Sequence, residues 1–158
     1  MEEKQIPRGI RNNNPLNIRY VEKNNWQGRV KTKRDYQFEE FETMSYGYRA
    51  AFLIIHKYMT LYYLRTPFQI CARWAPIGDN NNPSAYAKFV CNRMGCGLND
   101  ELDFRDPRQM IRLAAAMTEM ENGKGVAWEF IKRGYMLAAS HLRLYISADE
   151  ARKLEETQ

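Results

Sequence analysis

Glu121 stands at the end of an apolar stripe, and that position is the first chemical signal in the sequence. Met110, Leu113, Ala114 and Met117 recur three and four residues apart, the spacing that lines one face of a helix. Four residues further along the same face comes Glu121. A carboxyl group on a buried stripe is partly desolvated, which disfavours the anion and raises its pKa towards the range where it can donate a proton near neutrality. Asn122-Gly123 follows, glycine being the usual residue just past a helix C-terminus. That end of the helix dipole is negative and further favours the neutral acid. The spacing makes Glu121 a candidate general acid; the plainer alternative is a solvated glutamate at a frayed helix end. Glu119, two residues back, falls on another face.

Glycosidases commonly pair such an acid with a second carboxylate. Asp35, Glu39, Glu40 and Glu42 are candidates, but spacing does not select among them, and each taken alone reads as a surface charge. The segment "RWAPIGDNNNPSAY" (73–86) sets Trp74 and Tyr86 around Asp79, Asn80, Asn81 and Asn82. Aromatic faces beside amides suit a sugar, offering a flat apolar surface for the ring and donors and acceptors for its hydroxyl and acetamido groups. The alternative is a core tryptophan next to ordinary turn residues. A second amide-rich stretch, "RGIRNNNPLNIRY", is flanked by arginines and opens residues 8–28, which read as an ordered loop ending in "NNWQG".

The elements that must position these residues are mostly helical. A long apolar helix runs from Ser45 to Leu64. Thr66-Pro67, Asn82-Pro83 and Asp106-Pro107 each put a capping side chain before a proline at the first helical position. Another helix covers "VAWEFIKRGYMLAA", and Ser147 with Glu150 forms a capping box for a last polar one. "RVKTKRDYQFEEF" (29–41) partly alternates and predicts a small two-stranded ribbon. The expected class is α+β, mostly α-helical, in a single domain spanning 1–158. The element order excludes a βαβ nucleotide fold.

Composition narrows the partners. With 24 Lys+Arg against 19 Asp+Glu, the formal charge is +5, which favours an anionic partner: nucleic acid, an acidic wall polymer or a membrane surface. Nucleic acid rests on charge alone, since no helix carries a clear basic stripe, and is not expected. The longest apolar stretch, "AAFLIIHKYMTLYYL", is too short and polar to span a membrane. "MEEKQIPRG" has no apolar core, so no secretory signal is expected and the chain reads as cytoplasmic when made. Cys71, Cys91 and Cys96 have no metal-like spacing and read as reduced thiols. Neither a metal nor a cofactor is expected.

The motifs "RGIRNNNPLNIRY…NNWQG", "FEEFETMSYGYRA", "RWAPIGDNNNPSAY", "VCNRMG" and "AAMTEMENG" occur in that order. Together they resemble the phage and prophage lytic transglycosylases, small peptidoglycan-cleaving domains related to lysozyme and sometimes described as virion structural proteins. The likeness covers about residues 8–128; 129–158 reads as a C-terminal helical extension. It implies a lysozyme-like fold and a muramidase cleaving the MurNAc-β-1,4-GlcNAc bond, with Glu121 as general acid/base. The muramic 6-hydroxyl then attacks C1, giving a 1,6-anhydro product without a second carboxylate. It also implies substrate contacts from Asn14, Asn17, Arg19, Trp74, Asn81, Tyr86 and Asn122. Because the asparagine loop here precedes the glutamate helix, the order implies a circular permutation of the lysozyme-like core. Leu16 stands where the family usually has glycine, Met120 where histidine is frequent, and Pro83 where threonine is usual. The expected partners are peptidoglycan glycan strands, with virion or secretion-apparatus proteins, and the expected place of action is the periplasm or cell wall after lysis, virion delivery or non-classical export. The alternative from another class is a catalytically silent phage structural or wall-binding protein.

Overall fold

A computed structural model describes residues 5–75 and 81–158. Its helices begin where the capping residues predict. Helices α3 (Pro67–Trp74), α4 (Pro83–Met94) and α5 (Pro107–Asn122) each start on a proline. Thr66 Oγ1 accepts from Gln69 N at 3.2 Å while Gln69 Oε1 accepts from Thr66 N at 3.3 Å, a closed capping box. Asn82 Oδ1 accepts from Ala85 N at 3.1 Å, and Asp106 Oδ1 from Arg108 N at 3.0 Å. At α7 (Ala148–Glu156) Ser147 Oγ accepts from Glu150 N at 3.1 Å. Glu150 Oε2 is buried without a partner, so only half of that box forms.

The long α2 (Met44–Thr60) stops four residues short of the predicted end, because the chain turns through Tyr63 at φ 56°. Its main partner is α6 (Trp128–His141). The two approach closely at Gly134, where a Cβ would lie 2.4 Å from Tyr48 Cβ and 3.0 Å from Ser45 O. Around this crossing the Phe52 and Tyr135 rings meet edge to face at 5.4 Å, and Tyr135 Oη donates to Phe104 O at 2.9 Å. Residues 129–158 contribute to the same core. Ile131, Tyr135 and Ala138 are wholly buried, and Leu154 of α7 joins the same core. Helix α5 runs through the centre, packed by α4, α6 and α7. The thiols of Cys71 and Cys91 are free and pushed up to about 12 by burial.

The expected ribbon is reduced to two isolated antiparallel bridges, Arg19 with Phe38 and Arg29 with Phe41. Side-chain carboxylates take the amides a ladder would need. Asp35 Oδ1 accepts from Gln37 N at 3.0 Å and Phe38 N at 3.1 Å, while Glu40 Oε1 binds the amides of Arg34 and Asp35. Such local bonds compete with regular strands. Tyr20 N still reaches Gln37 O at 2.9 Å, and Val30 N reaches Glu40 O at 3.0 Å, so three segments lie side by side. A short α1 (Arg8–Arg11) and a 3-10 turn (Glu22–Asn24) complete this N-terminal part.

Gly134→Ala should be destabilising. Overpacking a tight crossing costs about 1–3 kcal/mol, more than the roughly 1 kcal/mol that alanine gains in helix propensity. Thermal unfolding followed by circular dichroism should give a lower Tm; an unchanged Tm would mean the helices can move apart freely.

Candidate active site

The site is built by folding the asparagine loop onto the C-terminal end of α5. The loop takes left-handed conformations at Asn13 (φ 52°) and Asn17 (φ 53°), both asparagines, the non-glycine type that best tolerates them. Leu16 has no such conformation. The residue is 1% exposed and anchors the loop in the core. Backbone carbonyls of the loop are satisfied from distant elements. Asn122 Nδ2 donates to Pro15 O at 2.7 Å and to Thr118 O at 3.0 Å, and Trp74 Nε1 donates to Leu16 O at 2.9 Å. Asn14 is 0% exposed, donates to Ile18 O and Glu39 O, and accepts from Ile18 N at 2.9 Å. Close approach also demands glycine at two points. A Cβ at Gly47 would sit 2.1 Å from Asn13 O, and one at Gly9 would sit 2.5 Å from Asn122 Oδ1.

Held this way, Asn17 presents its amide to the acid, with Nδ2 donating to Glu121 Oε1 at 3.0 Å. The stripe that predicts Glu121 is fully buried at Met110, Leu113, Ala114 and Met117, and Glu121 itself is partly buried at its end. Gly123 closes the helix in the left-handed region at φ 73°, with its N–H on Glu119 O at 2.8 Å. Glu119 points elsewhere and pairs with Arg93 at 2.7 Å. Burial raises the Glu121 pKa above the ordinary glutamate range; the donors of Asn17 and Tyr86 pull the other way without cancelling it. The Tyr86 hydroxyl, 4% exposed as a residue, is held protonated by burial and by the neighbouring Glu121 charge. It lies close enough to act on that carboxyl, yet makes no hydrogen bond of ordinary geometry. Tyr86 is a neighbour beside the acid, and Asn17 is the acid's one formed hydrogen-bond donor.

Three of the other carboxylate candidates, Asp35, Glu39 and Glu40, are spent on structure, and Glu42 is exposed. Arg8 clasps Asp35 at 2.5 and 2.7 Å and Asn12 donates to it as well, which holds that carboxyl well below the usual range. Glu39 is 0% exposed and receives both Arg29 Nε at 2.9 Å and Arg29 Nη2 at 2.6 Å. Glu40 caps backbone amides. Among the described residues, no carboxylate acts on Glu121 closely enough to shift its pKa. Asp79, Asn80 and Pro76 lie outside the described residues.

The residues expected to touch substrate thus separate into two groups. Asn14 and Asn122 are scaffold: their amides hold loop backbone and do not face solvent. Arg19 is exposed, Trp74 is partly buried, and Asn17 bridges to the acid. These three line one cavity of about 270 Å³ with Ile18, Ile54, Tyr58 and Arg73. Asn81 is exposed just before the Asn82 cap. Tyr58 and Arg73 went unnoticed in the sequence. Arg73 adjoins Trp74 in a motif that could have flagged it, whereas nothing local marks Tyr58. A larger cavity of about 910 Å³ lies over Arg8, Arg11, Arg34, Asp35 and Glu40, but its acids are already engaged.

No family model matches the chain. It is 37% identical over 134 residues to Protein P5 of Pseudoalteromonas phage PM2, an alignment covering 83% of this chain and 81% of that protein.

The raised Glu121 pKa has a stability consequence. Between the ordinary value of 4.5 and its folded value, the folded state holds the extra proton, so this group's contribution to stability falls as pH rises through that window. Glu121→Gln keeps an acceptor for Asn17 and removes the buried charge. At pH 7 its Tm should exceed the parent's by a few degrees, and the gain should vanish below pH 4.5. A variant destabilised equally at both pH values would contradict this.

Proposed function

This chain belongs to the family of phage Protein P5, and we propose that it degrades peptidoglycan as a lytic transglycosylase on a permuted lysozyme-like fold. The observation that carries the proposal is a single partly buried glutamate with a raised pKa, hydrogen-bonded to Asn17 from a loop 104 residues away, while the neighbouring acids are committed to arginines and backbone. A raised pKa favours the neutral acid, the form of Glu121 that acts as proton donor to a bound glycan. It can then deliver that proton to the glycosidic oxygen as the bond from C1 to O4 breaks. The resulting carboxylate is the base that takes the proton from the muramic 6-hydroxyl as O6 closes on C1. The proton balance returns Glu121 to its starting state and needs no water and no second carboxylate. Asn17 steadies the anion between the two steps and fixes the carboxyl's direction. Tyr86 stands close to the same carboxyl. Among the described residues, no helix is long and apolar enough to cross a membrane, and the basic surface suits an acidic wall polymer reached after lysis or delivery by a particle.

Purified protein should clear cell walls, and Glu121→Gln should lose about 10²–10⁴-fold in rate by losing its proton donor. Mass analysis of the digest should find anhydro-muropeptides. Reducing-end muropeptides would make it a hydrolase, and no fragments at all would leave a wall-binding structural protein. Activity should fall on the alkaline side as Glu121 loses its proton. Asn17→Ala removes a donor that favours the anion, so it should move that alkaline limb to higher pH; a limb moving downward would remove Glu121 as the titrating group.

A further inference from the structure

The turn from α2 into α3 presents a cluster of large apolar side chains to solvent. Leu61 is 59% and Tyr63 69% exposed, and Tyr62 and Phe68 are exposed as well, all four within eight residues of sequence. Tyr63 takes φ 56°, a left-handed conformation that a ring-bearing residue adopts only at a cost. Such strain persists where the surroundings over-determine the backbone, and here they do. Leu61 N and Tyr62 N both reach Lys57 O, and Leu64 N reaches Tyr58 O at 2.9 Å. Arg65 is held from three sides: its N–H on Gln69 Oε1, its Nε on Met59 O, and its carbonyl on Leu102 N. A fixed turn that carries exposed apolar rings is the kind of patch that marks contact with another body.

Charge says which body. Residues 43–78 contain no aspartate or glutamate, and they carry Arg49, Lys57, Arg65 and Arg73. Three of these cations ride on rings of the patch: Lys57 at 6.0 Å and Arg73 at 5.3 Å from Tyr62, and Arg65 at 5.1 Å from Tyr63. Such pairing leaves each cation its charge, so an approaching negative surface still meets all three. Asp100 and Glu101 border the turn, where Phe68 N donates to Leu98 O and Leu102 N to Arg65 O. Asp100 is turned onto Gly97 N at 2.7 Å, and the three cations outnumber these two acids. Leu61, Tyr62, Tyr63 and Phe68 line neither the cavity beside Asn17 nor the one over Asp35; they project from a turn. Projecting tyrosines flanked by Lys and Arg suit the boundary of a bilayer, where rings sit among headgroups and cations reach the phosphates.

We infer that the α2–α3 turn is a peripheral docking patch for an anionic bilayer surface: Leu61, Tyr62, Tyr63 and Phe68 enter the headgroup layer while Lys57, Arg65 and Arg73 meet its phosphates. The patch lies outside the peptidoglycan reading above and needs nothing from it. Arg73 also lines the cavity beside Asn17, so docking sets the edge of that cleft at the bilayer surface.

The test sediments the full chain with vesicles of phosphatidylcholine alone and with vesicles of equal parts phosphatidylcholine and phosphatidylglycerol. Partitioning onto the anionic vesicles should exceed that onto neutral ones by roughly fivefold per cation, about a hundredfold for three, and should weaken as salt is raised. Leu61→Gln combined with Tyr63→Asn removes exposed apolar area. Asparagine tolerates the left-handed conformation better than tyrosine, so Tm should hold or rise, while anionic partitioning should drop roughly tenfold or more. Lys57→Gln should lower anionic partitioning roughly fivefold and leave neutral vesicles as they were. Equal partitioning onto both vesicles, none onto either, or anionic partitioning that survives the Leu61→Gln, Tyr63→Asn pair overturns the inference. So does a concentration-dependent dimer, seen by sedimentation without lipid, that the same pair of substitutions dissolves, since the patch would then belong to a second copy of the chain.

Discussion

The whole site depends on satisfying the backbone of one loop. Residues 12–18 are pressed against helix ends in the interior, where peptide groups without partners are costly. The solution is that side chains from elsewhere supply the missing bonds: Asn122 from the end of α5, Trp74 from the end of α3, and Asn14 from the loop itself. Each of these bonds also sets a position. Once Pro15 O is tied to Asn122, the next residue on α5's inner face and the loop's Asn17 meet, and the acid acquires its donor.

Charge is sorted by the same packing. The N-terminal segments carry several acids, and those drawn inwards are neutralised by arginines that reach them in forked contacts, Arg8 on Asp35 and Arg29 on Glu39. Forked pairing satisfies both carboxylate oxygens, and at Asp35 it holds the carboxyl well below its usual range. Glu121 is drawn inwards without a cation, so burial raises its pKa instead of an ion pair lowering it. Two environments in a small protein therefore push carboxyl groups in opposite directions, one making structure and the other making an acid.

The core makes this possible by being rigid where the loop docks. The α2–α6 crossing at Gly134 and the close approach of Gly47 to Asn13 bring the start of α2 against the loop with no side chain between. Residues beyond 128, which look like an addition when motifs alone are considered, supply half of that crossing. Removing them would take away the surface that α2 packs on.

Much was determined locally and could be read from the chain. Thr66, Asn82, Asp106 and Ser147 cap helices within three residues of themselves, and the stripe ending at Glu121 follows from spacing of three and four. The ribbon is reduced to isolated bridges because alternation does not encode Asp35 and Glu40 turning back onto nearby amides. What only the tertiary structure decided is which asparagine does what. Asn14, Asn17 and Asn122 are chemically the same residue, yet two hold backbone and one faces the acid. Their partners lie as far as 104 and 107 residues away in sequence. No local period encodes such a pairing, because it exists only after the core has brought the loop and the helix end together.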